Sequence, residues 1–167
     1  MKHIFIVNPA AGKSDRTAEY REMIDAAFAP RGLSYELLVS NAPGECRTLA
    51  RQAAQSGEEV RLYACGGDGT LNEVVNGVVG YGNAAVTHFP GGSGNDTIKI
   101  FDDPAAFTSI ERLLDAEEEA VRSRAERRPI AQYDHHYSFS PDRPLMEYVY
   151  QIDRDRVFED LFRRLAA

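Results

Sequence analysis

Residues 65–77 read CGGDGTLNEVVNG: Gly66, Gly67 and Gly69 crowd around Asp68, and the pattern then turns helical. A backbone this bare ahead of a helix can approach a ligand closely. It also turns several N–H groups to one side, at the helix end that carries partial positive charge, which is the chemistry phosphate groups seek. Asp68 complicates that picture. A carboxylate beside phosphates repels them unless a cation or a proton lies between, so Asp68 points to Mg²⁺ carried with a nucleotide, or to a base that takes a proton from an attacking hydroxyl. Thr70-Leu71-Asn72-Glu73 fits a capping box, which predicts a helix entered at Thr70. A surface turn with a capping aspartate is the alternative for this segment taken alone.

Two further loops have the same character. NPAAGK (8–13) offers Asn8 as a hydrogen-bonding side chain, Pro9 as a rigid bend, Gly12 for close approach and Lys13 as a cation; FPGGSGND (89–96) offers Gly91, Gly92 and Gly94 with Asn95 and Asp96. Competing motifs fail on their spacing. Gly12-Lys13-Ser14 looks like the end of a P-loop, but the glycine required five positions before Gly12 is Val7. Gly67-Asp68-Gly69 begins a G-x-G-x-x-G dinucleotide pattern whose third glycine position is Asn72. His135-His136 has no Cys or His neighbours at metal-ligand spacing, and adjacent histidines in a strand face opposite ways.

The elements that must carry these loops alternate along the first hundred residues. IFIV (4–7) is a short β-branched run. Tyr20, Met23, Ile24, Ala27 and Phe28 then recur at helical spacing until Pro30 and Gly32 end the pattern. SYELLV (34–39) reads as a strand, and Cys46, Leu49, Ala50, Ala53 and Ala54 line one helix face before Gly57. VRLYAC (60–65) is a third strand, Leu71, Val74, Val75 and Val78 a third helical stripe, and AAVTHF (84–89) a fourth strand. Strand–helix alternation of this kind predicts a mostly parallel sheet in a three-layer α/β/α fold. All three loops then leave the carboxyl ends of strands, where open parallel sheets bind ligands, and are expected to converge on one crevice.

The last third differs. Every glycine lies at or before Gly94 and every asparagine at or before Asn95, so the remainder lacks the residues that supply positive-φ turns. Residues 104–128 predict a helix through Phe107, Ile110, Leu113 and Leu114, with Glu117–Glu119 as a solvated face; residues 145–165 predict a second helix. Between them lies a connector with one candidate strand near 137–139.

The composition, 43% hydrophobic and 27% charged over 167 residues, is that of a globular domain with a normal core. A net charge of −7 without any basic run argues against a nucleic-acid partner. Cys46 and Cys65 fall on a helix face and in a strand, and read as reduced core residues. The apolar run in MKHIFIV is too short for a signal peptide or a membrane span, so the expected location is cytoplasmic with at most peripheral membrane contact.

NPAAGK, GGDGTLNEVVNG and PGGSGND, in this order and at these separations, resemble the diacylglycerol kinase catalytic domain, a family that includes sphingosine kinases and bacterial lipid kinases. The resemblance covers roughly residues 1–115. It implies ATP-dependent phosphorylation of a lipid hydroxyl with Mg²⁺. On that likeness Asn8, Gly12, Gly66, Gly67, Gly69 and Thr70 contact ATP, with Pro9, Lys13 and Gly92 in the same loops. Asn72 and Glu73 support the loop from the helix, and Gly94, Asn95 and Asp96 close the site. Asp68 stands at the reacting centre, Asp68 and Asp96 are the candidate carboxylates for Mg²⁺, and Ser40 takes the place of a threonine near the nucleotide. Members of the family also carry a β-rich second domain with a GDGE-like motif, which this sequence lacks. The expected organisation is an ATP-binding domain over 1–128 followed by a divergent connector and helical tail over 129–167. A homodimer would cover the exposed cleft wall. The alternatives are a non-catalytic nucleotide-binding or dimerisation module, and a small-molecule kinase of the NAD kinase type.

Overall fold

The protein is described by a computed structural model over residues 1–101 and 103–115. The expected helix over 145–165, the connector with its candidate strand, His135 and His136, and the second half of the expected helix over 104–128 lie outside the described residues.

Four strands, β1 (Lys2–Val7), β2 (Tyr35–Val39), β3 (Val60–Gly66) and β4 (Ala84–Pro90), form one parallel sheet in the order β2-β1-β3-β4. Helices α1 (Thr17–Phe28), α2 (Glu45–Gln55) and α3 (Asp68–Val78) connect them in turn. The interior strand β3 is buried along its whole length, as expected of a strand covered on both faces, whereas every residue of the edge strand β2 is only half-buried. The period-two alternation of the pleat splits the core in two. Ile4, Ile6, Leu62, Ala64 and Val86 pack against α2 and α3; Phe5, Val7, Tyr63, Cys65 and Phe89 pack against α1 and the segment from Phe107 to Leu114. The result is the three-layer α/β/α arrangement. Phe5 and Tyr63 stack at the centre of the second cluster, ring centroids 4.1 Å apart. Both cysteines are buried and free.

Two local expectations are corrected. The segment after β4 is not one helix from residue 104: a 3₁₀ turn, Pro104–Thr108, ends at an extended Ser109, and helical structure resumes at residues 110–115. Its apolar positions still bury Phe107, Ile110, Leu113 and Leu114, because burial against the sheet needs only that those side chains face it. The third helix starts at Asp68 rather than Thr70. Gly67 is its N-cap, extended at φ −87° and ψ −172°, with no side-chain cap hydrogen bond.

Candidate functional site

The strand order reverses direction between β1 and β3: the chain passes from β1 to β2 on one side and returns to β3 on the other. Such a switch point opens a crevice at the carboxyl ends of the strands. The loops after β1, β3 and β4 meet there in a cleft of about 480 Å³, within the range of small-molecule sites.

The first two turns of α3 hold this edge together. The Asn8 amide Nδ2 donates to Thr70 Oγ1 at 3.1 Å, and Asn8 Oδ1 accepts from the Ala10 N–H at 3.0 Å, which fixes the orientation of the amide. Because the Thr70 oxygen accepts from Asn8, its own proton is free to be donated elsewhere. Glu73 Oε1 accepts the Gly44 N–H at 3.0 Å and so draws in the loop after β2. Asp68 takes three hydrogen bonds from the loop after β4. Its Oδ2 accepts from the Asp96 N–H at 2.9 Å, and its Oδ1 accepts from the Thr97 N–H at 3.0 Å and the Thr97 hydroxyl at 2.7 Å. One helix end thus ties three loops to itself. The capping box is absent for the same reason: Thr70 and Glu73 point outward to other loops, and the Thr70 N–H bonds instead to the Gly67 carbonyl at 3.0 Å.

Burial alone would push the Asp68 carboxyl up. The Thr97 and Asp96 donors outweigh it, and the net effect is to hold the group below the usual carboxylate range. Asp68 is therefore an anion at neutral pH whose charge is already shared with the adjoining loop.

The glycines allow contacts that side chains would forbid. A Cβ on Gly66 would lie 2.3 Å from Thr70 Oγ1; one on Gly92 would lie 2.5 Å from the Gly67 Cα; one on Gly12, which has φ +85°, would lie 2.7 Å from the Gly91 carbonyl oxygen. The loop after β4 is held by Asn95, at φ 50°, whose side chain both accepts from the Gly92 N–H (3.0 Å) and donates to the Gly92 carbonyl (2.8 Å). At Gly94 a Cβ would stand 3.7 Å from both Asp68 Oδ2 and Asp96 Oδ2. Two carboxylate oxygens thus flank a point kept open because residue 94 has no side chain.

Of the candidate residues, the structure brings Asn8, Gly12, Gly67, Asp68, Gly69, Thr70, Glu73, Gly92 and Gly94 to the cleft wall. Gly66 and Ser40 are buried and do not line it, and the Ser40 N–H bonds to the Val7 carbonyl at 2.9 Å. Pro9, half-buried, and Lys13, exposed, are not among the residues that line the cleft. Asn95 braces the last loop, and Asp96 pairs with Lys99 at 2.6 Å on the exposed side. Sequence reasoning passed over two lining residues, Ala11 and Ser93, and one supporting residue, His88. Ala11 and Ser93 sit inside motifs already identified and would have been found by taking each loop whole.

The sequence matches the family model of the diacylglycerol kinase catalytic domain over residues 2–125. Over 104 residues it is 33% identical to a Bacillus subtilis (strain 168) protein provisionally named lipid kinase YtlR, a match covering 60% of this chain and 33% of that one. A provisionally named lipid kinase of Staphylococcus epidermidis (strain ATCC 12228) is 39% identical over 77 residues, 45% of this chain and 25% of its own. Two crystal structures from Bacillus anthracis str. Sterne, one described as a diacylglycerol kinase and one provisionally so, are similar with TM-scores of 0.52 and 0.53. Each is 25% identical, over 70% of this chain and 42% of theirs. The matched region spans no more than 42% of any of these relatives.

Proposed function

Because this chain belongs to the diacylglycerol kinase catalytic domain family, we propose that it supplies the nucleotide-binding half of an ATP-dependent lipid kinase acting on a lipid hydroxyl. The observation that carries this is the meeting of three glycine loops in one cleft over the switch point of the sheet. The N–H groups of Asp68 and Gly69 head α3 with no preceding turn to bond to, and the Thr70 hydroxyl has a proton to give; these are the donors for the phosphates. Asn8 and Gly12 line the cleft from the first loop, Gly66 and Gly67 leave room for the phosphates, and Gly92, Gly94 and Asn95 close the site.

Mg²⁺ fits at the edge of this wall, beside Gly94. Asp68 and Asp96 present one oxygen each beside Gly94, and among the described residues no cluster of three or more His, Cys, Asp or Glu side chains could hold a metal. A pair of carboxylates is the donor set of an ion that arrives with a nucleotide and keeps water and phosphate ligands. When bound, the ion neutralises charge on the transferring phosphoryl group. With its proton affinity lowered by three donors, Asp68 is better suited to anchoring a cation than to removing a proton from a hydroxyl.

Acceptor binding falls to surfaces beyond this cleft, and the family's second domain is the natural source of the facing wall. Half a cleft positions both reactants poorly, so turnover by these 167 residues alone should be slow. Among the described residues no helix is long and apolar enough to cross a membrane, and the lipid contact proposed here is peripheral, on the cytoplasmic side. The committed carboxylate of Asp68 favours a second reading, a non-catalytic module that binds nucleotide or pairs with another copy. A kinase of the NAD kinase type is the third.

Isothermal titration with ATP–Mg²⁺, followed by transfer assays on diacylglycerol, sphingoid bases and NAD, separates the three. Binding with transfer to a lipid supports the kinase, binding without transfer the module, and transfer to NAD alone the third. A sharper check uses Gly69. It lines the cleft, its φ is not positive, and a Cβ there meets no atom within 4 Å. Gly69→Ala should therefore keep or slightly raise the melting temperature. It should weaken ATP–Mg²⁺ by about tenfold, since the methyl group takes space a phosphate would use. Unchanged affinity would place the nucleotide elsewhere.

A further inference from the structure

We propose that His88 is a positioning residue of the cradle, a second donor on the Gly66 carbonyl that helps pin the carboxyl end of β3 to the start of the loop after β4. This rests on the nucleotide reading of the cleft given above.

His88 lies on β4 opposite Ala64 and is 1% exposed. Its Nε2 stands 2.9 Å from the Gly66 oxygen, which also accepts the Gly91 N–H at 2.7 Å. A carbonyl can only accept, so Nε2 carries the proton and Nδ1 holds the lone pair. In a parallel pair a carbonyl takes its ladder bond from the residue after its register partner, so the Gly91 N–H, one beyond Pro90, is the ladder donor to Gly66 and the His88 ring is an added second one. Gly66-Gly67 and Gly91-Gly92 press together backbone to backbone, with no side chains of their own to lock them. The two donors on one oxygen hold this junction from beneath the cleft floor.

His88 Nδ1 is itself buried and has no hydrogen-bond partner among the described residues. An orphaned buried nitrogen is a cost that leucine at the same position would avoid. Stability therefore does not account for the imidazole, whereas its directed Nε2–H does. Burial favours the neutral ring and holds His88 below the usual histidine range, against the opposing pull of the Gly66 carbonyl and the Asp68 carboxylate.

The test compares His88→Leu with His88→Gln, whose side-chain amide can still donate from the outer position, in the full 167-residue chain. His88→Leu should keep or raise the melting temperature, speed hydrogen exchange at the Gly91 amide and weaken ATP–Mg²⁺ by about fivefold. His88→Gln should return both the exchange rate and the affinity toward the parent values. Gly91 exchange unchanged in His88→Leu would overturn the pinning by His88, as would a joint fall of melting temperature and affinity that His88→Gln does not repair. A parent protein that shows the Gly91 effect but binds no ATP–Mg²⁺ would overturn the nucleotide reading and with it the positioning role, while leaving the second donor as a property of the fold.

Discussion

Asp68→Asn is expected to reduce phosphoryl transfer by about a thousandfold while weakening ATP–Mg²⁺ binding far less. The substitution keeps the side chain's shape and removes its charge. An asparagine has one acceptor oxygen, so it can satisfy either the Thr97 pair or the Asp96 N–H, but not all three donors that Asp68 now serves. On the proposed reading, charge lost beside the transferring group acts on the reacting state. The freed loop acts on both states through Gly94 and Asn95, which close the proposed site. Transfer on a lipid acceptor and calorimetric affinity, measured on the same preparations, separate these effects. Equal ATP affinity in both proteins with no transfer in either would support the non-catalytic module.

The same substitution has a pH signature. The folded carboxyl of Asp68 lies below its unfolded value. Its contribution to stability is therefore complete above the unfolded value near about 3.9 and is lost as pH falls through the folded one. The melting temperature of Asp68→Asn should thus lie below the parent's at neutral pH, and the gap should close under acid conditions below about pH 4. A gap that widens on acidification would mean that Asp68 is not the acceptor described.

How far the sequence predicted this can be judged from where each residue finds its partners. The strands, the helix stripes and the meeting of the loops were legible because they follow from local periodicity and from one topological rule. VRLYAC (60–65) reads as a strand from its apolar run, and a parallel sheet then forces NPAAGK, GGDG and PGGSGND onto one edge. The capping box was misread because Thr70 and Glu73 satisfy that pattern locally. Their actual partners, Asn8 and Gly44, lie 62 and 29 residues away in sequence. Asp68 was legible as the unusual member of its loop. Its partners Asp96 and Thr97 were not, because nothing local in either segment specifies that the third and fourth loops would bond to each other. His88 carried no signal, since a single histidine in AAVTHF gives no indication that its ring reaches the Gly66 carbonyl.

The largest loss of stability is expected outside the cleft lining, at Gly77. Helices α2 and α3 lie side by side on one face of the sheet, and Ala50 and Ala54 on α2 are small enough to let them approach closely. A Cβ on Gly77 would lie 2.5 Å from the Arg47 carbonyl oxygen and 2.7 Å from the Ala50 Cβ. The first of these is backbone, which no rotamer change can move aside. Gly77→Ala should gain the usual helical preference of alanine, somewhat under about 1 kcal/mol, and lose more than that to the forced separation of the helices. The net loss should be about 2 kcal/mol or more. In a chain of this size that lowers the melting temperature by about 4–8 °C. Because α3 also carries Asp68, Thr70 and Glu73, a shift of its axis moves all three loop ties together, and nucleotide affinity should fall with stability. Gly69→Ala, on the same helix, is predicted to separate the two quantities. Observing coupled losses at Gly77 and uncoupled ones at Gly69 would distinguish a helix that positions the cleft from a residue that lines it.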